Sequence, residues 1–128
     1  MDRKIISTAA ILGMIAIILG AFGAHALKKI LSIDQLATFE TGVKYQMYHA
    51  LFLLLIGILS DITQKTKKKI YYLTVFGVVL FSGSIYLLAT NDLTPINFKI
   101  IGFVTPIGGL LLILAWGTLL LNYFNKKS

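Results

Sequence analysis

Four apolar stretches, each near the length a helix needs to cross a bilayer, dictate what this chain can fold into. They cover roughly residues 5–27, 45–60, 70–90 and 98–120, and polar connectors separate them. A helix rises 1.5 Å per residue, so about 20 apolar residues cover a hydrocarbon core of about 30 Å. The 128-residue chain is 57% hydrophobic and 13% charged, whereas soluble domains hold about 45–50% and about 25%. The expected fold class is therefore an all-α membrane protein, a single domain of four transmembrane helices over residues 1–128. The net charge of +7 does not indicate a nucleic-acid face, because the lysines cluster at the ends of apolar runs. Without cysteine the chain has no disulfide, thiolate nucleophile or thiolate metal site.

The start of the chain has the superficial form of a secretory signal: Asp2-Arg3-Lys4, an apolar run, then Ala24-His25-Ala26. That run exceeds the usual signal core of about 7–15 residues, so it is expected to remain as the first span. Ser32 and Gln35 form the S-x-x-Q pattern of a capping box, which starts a helix at Ile33 with Asp34 in its first turn. Ile33, Leu36, Phe39, Val43 and Met47 recur at helical spacing, with Glu40 and Lys44 on another face. Residues 33–43 therefore read as an amphipathic segment that leads into the second span. An unbroken helix to Ser60 would be about 42 Å long and would place its early turns at the interface. The polar run 63–69 reads as a short cationic loop. Thr94 is a candidate N-cap with Pro95 at the first helical position. Pro106 removes a bond to the Gly102 carbonyl and is expected to bend the fourth helix.

Orientation follows from the lysines and arginine. Arg3, Lys4, Lys65, Lys67, Lys68, Lys69, Lys126 and Lys127 fall on one side, and Lys28, Lys29, Lys44 and Lys99 on the other. The richer side is expected to be cytoplasmic, which places both termini inside a cell membrane. Lys65, Lys67, Lys68 and Lys69 would also attract anionic lipid, at about 1 kcal/mol each. Tyr71 and Tyr72 on the inner side, and Tyr45 and Tyr48 on the outer, are expected in aromatic belts.

A polar group gathers toward the outer side: His25, Glu40, Lys44, Tyr45, Gln46, Tyr48 and His49. Ionisable residues in a membrane are costly, and each raises a functional question. Interhelical hydrogen bonding or interfacial anchoring is the ordinary use of such residues; ligand or proton handling is the functional one. Two imidazoles and a carboxylate suit zinc, but His25 and His49 lie on different helices without a short ligand spacing. No metal and no cofactor is expected. Gly13, Gly20 and Gly109, with neighbouring small residues at four-residue spacing, are expected to let helices approach, Pro106 lying beside them. A homo-oligomer interface is the second use of that pattern. Ser82 and Ser84 have no neighbouring base to activate them, so bonds to backbone carbonyls are expected.

Four ordered segments carry a family resemblance: residues 20–27, 39–50, 83–89 and 105–109. Together they resemble the YgdD/YwdK-like family of small multi-pass membrane proteins, a domain of unknown function. The resemblance spans essentially the whole chain. It implies a four-helix inner-membrane protein without a defined activity, and its motifs fall on His25, Tyr45, Gln46, His49, Ser84 and Pro106. No enzyme is expected. The leading expectation is a binding or assembly role with a polar outer-leaflet site, closed by the Asn91-Asp92 loop. The alternative is a subunit of an oligomeric transporter or channel for a small solute or ion, favoured by glycine-rich helices and Pro106.

Overall fold

A computed structural model describes residues 1–93 and 99–125. Four long helices run α1 Asp2–His25, α2 Ile33–Ile58, α3 Gln64–Ala89 and α4 Val104–Phe124, with short 3-10 turns at Leu27–Lys29, Asn91–Leu93 and Lys99–Phe103. Consecutive helices are antiparallel neighbours: α1 packs on α2, α2 on α3 and α3 on α4. Three helical segments are long and apolar enough to cross a membrane: Asp2–Lys29, Gln64–Ala89 and Ile101–Phe124. The fourth crossing is α2, whose first half is polar. Its 26 residues extend about 39 Å, and it lies between α1 and α3.

The packing is that of a membrane protein. Ile11, Ile17, Ile18, Phe22, Leu51, Phe76 and Ile113 are exposed, while Gln46, His49, Lys67, Thr74, Ser82 and Ser84 are buried. In water this distribution would be costly on both counts. In lipid it is expected, because exposed alkyl groups cost nothing there and polar side chains find partners between helices.

Local chemistry sets the helix ends. The capping box forms: Ser32 Oγ accepts from the Gln35 amide at 3.1 Å, and Gln35 Oε1 accepts from the Ser32 amide at 2.9 Å. The helix then runs unbroken to Ile58, so the amphipathic segment and the second span form one element. The expected cationic loop at 63–69 is corrected. Thr63 caps α3 by accepting from the Thr66 amide, and the lysines occupy the first turns of that helix. The expected bend at Pro106 is also corrected. Because α4 begins at Val104, Pro106 occupies the first turn, where amides have no intrahelical acceptor and proline removes nothing. Thr94 and Pro95 lie outside the described residues.

Glycines decide the closest helix approaches, though not those expected. A Cβ at Gly13, Gly20 or Gly109 would meet its nearest neighbour at 3.8, 3.5 and 3.5 Å, which is ordinary contact. At Gly108 it would collide with the Phe81 and Leu80 backbone, at Gly57 with Ile6 at 2.6 Å, and at Gly77 with Leu112 at 2.7 Å. Gly13 and Gly20 face α2 and Gly109 faces α3, each at ordinary contact distance; spacing locates small residues on a helix but not which of them a neighbour approaches most closely.

Candidate functional site: the polar core and the lateral groove

The seven residues of the expected polar group do not form one site. A Cβ at Gly13 would lie 3.8 Å from Ala50 Cβ, so His49 sits level with the middle of α1. His25 is twelve residues further along that helix, about 18 Å away, and is exposed. Glu40, Lys44 and Tyr48 are exposed as well. Gln46 and His49 turn inward, with 4% exposure each. His49 lies nine residues from the end of α2 at Ile58, about 14 Å, close to half the hydrocarbon thickness. The buried pair is therefore at mid-depth rather than in the outer leaflet. The same arithmetic moves Tyr45 and Tyr48 inside the expected outer aromatic belt.

At that depth both side chains bond to other groups of the protein among the described residues. Gln46 Nε2 donates to the Leu12 carbonyl of α1 at 2.9 Å, and its Oε1 accepts from the Tyr86 hydroxyl of α3 at 2.6 Å. His49 Nε2 accepts from the Trp116 indole of α4 at 3.1 Å, and Nδ1 lies 2.7 Å from the Tyr45 carbonyl. An indole N–H can only donate, so Nε2 must be the bare nitrogen and Nδ1 carries the proton that it donates to Tyr45. His49 is thus fixed as one neutral tautomer. Ser82 Oγ donates to the Gly42 carbonyl at 2.8 Å, and the Ser84 and Thr105 hydroxyls are bonded to each other. The serines therefore include two links between helices, where bonds within their own helix were expected; Ser84 also donates to the nearby Phe81 carbonyl. Among the described residues Thr74 Oγ1 is buried without a hydrogen-bond partner.

Beside this network a lateral groove of about 300 Å³ is lined by Tyr45, His49, Phe81, Gly109, Leu112, Ile113 and Trp116. The Tyr45 ring stands edge-on to Phe81 at 5.1 Å, and Trp116 lies tilted against Phe52 with ring centroids 4.1 Å apart. Trp116 is 48% exposed, so the groove faces the surroundings of the bundle. The sequence reading did not include Trp116. Its signal was available, since it is the chain's one tryptophan and lies inside an apolar span rather than at an interface.

A second polar cluster, also unanticipated, sits at the lysine-rich end. Lys67 is 1% exposed, and its ammonium lies 3.0 Å from Asp2 Oδ1 and 3.4 Å from the Gly57 carbonyl. Gln64 Nε2 donates to the same Asp2 oxygen at 3.0 Å. One ammonium therefore joins the start of α1, the end of α2 and the start of α3. It supplies a cation where the carbonyls of α2 end. Lys67 is accordingly not a lipid-facing charge, which corrects its place among the four lysines. Asp2 lies outside the apolar stretch of α1, and the hydrogen bond from Gln64, then that from Lys67, holds its carboxyl below the usual range. Lys4 packs over the Tyr71 and Tyr72 rings at 5.4 and 5.5 Å. Tyr71 itself turns inward to Thr8, with 2.8 Å between the hydroxyls. At the opposite end Gln35 Nε2 donates to Asp92 at 2.6 Å, so the connector after α3 is tied to the capping box. Among the described residues no three His, Cys, Asp or Glu side chains come together to hold a metal ion.

The family model described as "Protein of unknown function (DUF423)" matches residues 19–109, which includes α2, α3 and the inward-facing polar residues. This chain belongs to the DUF423 family. A UPF0382 membrane protein of Staphylococcus saprophyticus is 46% identical over 91% of this chain and 92% of its own length. The UPF0382 inner membrane protein YgdD of Escherichia coli K12 is 36% identical over 98% and 93%. A Haemophilus influenzae UPF0382 membrane protein is 34% identical over 100% and 99%. No solved structure matches. This chain is thus a multi-pass membrane protein of that family, in agreement with the resemblance read from its four motifs.

Proposed function

We propose that this DUF423 protein is a membrane-resident binding protein, not an enzyme, and that its site is the lateral groove between α2 and α4. The observation that carries this reading is how the mid-depth polar groups are used. Gln46, His49, Ser82 and Ser84 all make their hydrogen bonds within the protein. A conducting pathway needs polar groups turned toward water or a passing solute, and these are turned toward other helices. The groove, by contrast, offers aromatic walls beside the Tyr45 hydroxyl, which makes no hydrogen bond among the described residues. Apolar walls with one convergent polar group suit a small amphiphile dissolved in the bilayer. The lysine count supports termini on the cytoplasmic side.

Titration of the reconstituted protein with 12-doxylstearic acid tests this reading, because the nitroxide quenches Trp116 when it enters the groove. Saturable quenching that disappears in Gly109→Leu is expected. Quenching that rises linearly and equally in both proteins would refute the groove. Potassium flux that scales with protein in the same vesicles and is lost in His49→Ala would favour the transporter or channel subunit.

A further inference from the structure

We infer that the cleft between α3 and α4 at the lysine-rich end is a specific site for one anionic phospholipid. The cleft, about 470 Å³, is lined by Lys65, Thr66, Lys69, Thr118, Leu121 and Asn122. Two cations, two hydroxyls and an amide thus surround one space, and among the described residues no carboxylate lines it. Lys65 and Lys69 stand four residues apart on one face of α3, where like charges repel in the absence of an anion. Among the described residues the Asn122 amide nitrogen is buried without a hydrogen-bond partner, although a buried amide ordinarily has one. Asn122 lines the cleft, so a turn of its side chain would bring that amide to a phosphate oxygen, which would accept from it.

What makes the site a lipid's rather than a free phosphate's lies directly above it. Two apolar grooves border Lys69 and run along the same pair of helices toward mid-depth. One passes Leu73, Ile113 and Gly117, and the other Tyr72, Phe76, Leu80 and Leu111. A headgroup cleft opening into two apolar grooves has the shape of a two-chain phospholipid. A Cβ at Gly117 would meet nothing within 4 Å, so the space beside it is available to an acyl chain. Lys67 takes no part, because it is committed to Asp2. The selectivity is therefore carried by two lysines of the helix face and not by the whole basic run. This site is separate from the Tyr45 groove and does not depend on it.

Native mass spectrometry of the full chain, released from detergent with phosphatidylglycerol or phosphatidylcholine, tests the inference. The wild type is expected to retain phosphatidylglycerol over phosphatidylcholine by about tenfold, given the attraction of two lysines to an anionic headgroup. The Lys65→Gln/Lys69→Gln double variant should lose that preference and Lys68→Gln should keep it. Asn122→Leu and Gly117→Leu leave the net charge unchanged and should also lose it. Glycerol phosphate at millimolar concentration should fail to displace the lipid. Equal loss in Lys68→Gln, or full retention in both Asn122→Leu and Gly117→Leu, would reduce the site to diffuse attraction and overturn the inference. Displacement by glycerol phosphate would overturn it in favour of a soluble phosphate. Thermal midpoints in a zwitterionic detergent show whether each variant is folded, and Gly117→Leu, which faces open space, keeps the test valid if the polar variants unfold.

Discussion

Single side chains decide how this chain manages charge and hydrogen bonding in lipid, and Asp2 is the simplest case. Its carboxyl is held below the usual range by the Gln64 amide and then by Lys67. A depressed folded pKa means that the stabilisation is present above the unfolded value, about 3.9, and is lost as pH falls through the folded value. The thermal midpoint of the wild type in detergent should therefore exceed that of Asp2→Asn at pH 7, and the two should converge below about pH 4. A difference that persists unchanged at acid pH would show that the residue acts through packing alone. Some of this scale was legible in the sequence. The costs of polarity in lipid picked out Gln46 and His49, and the capping box was explicit in Ser32 and Gln35. The Lys67 junction was not, because a lysine inside a run of lysines has no local mark; only the meeting of three helix ends separates it from Lys68. Trp116 was missed for a related reason, since an aromatic residue in an apolar span looks like one more lipid-facing side chain.

Among the helices, the closest interface is set by one glycine. Gly108 lies against the Phe81 backbone, and a methyl group there would collide with main chain that cannot move aside. At its neighbour Gly109 an added Cβ would sit 3.5 Å from the Phe81 ring, an ordinary contact. Gly108→Ala should lower stability by about 1–3 kcal/mol, the usual cost of overpacking, and Gly109→Ala should change it by less than about 0.5 kcal/mol. Unfolding in a denaturing detergent titration measures both; equal effects would contradict the assigned interface. Hydrophobic periodicity gave the helices readily, including the continuous α2, because length and polarity in lipid are strong constraints. It could not pair their faces. Interfaces in lipid are made by small and polar residues whose partners lie on other helices, and α2 and α4 meet through His49 and Trp116, 67 positions apart.

For the molecule as a whole, positive charge gathers at one end, polar links tie the centre, and the exterior is apolar. The lysine count predicts that the end carrying Thr63 faces the cytoplasm. In intact cells Thr63→Cys should resist a membrane-impermeant maleimide while Ser32→Cys reacts, and the reverse would invert the orientation. The polar centre has a more direct reporter, because the chain's one tryptophan stands where α4 meets His49 and lines the groove. If the mid-depth polar residues are helix links and the groove faces the bilayer, phospholipids brominated near mid-chain should quench Trp116 strongly and aqueous acrylamide should quench it little. Strong quenching by acrylamide with weak quenching by bromolipid would mean that water reaches His49, and it would contradict the account.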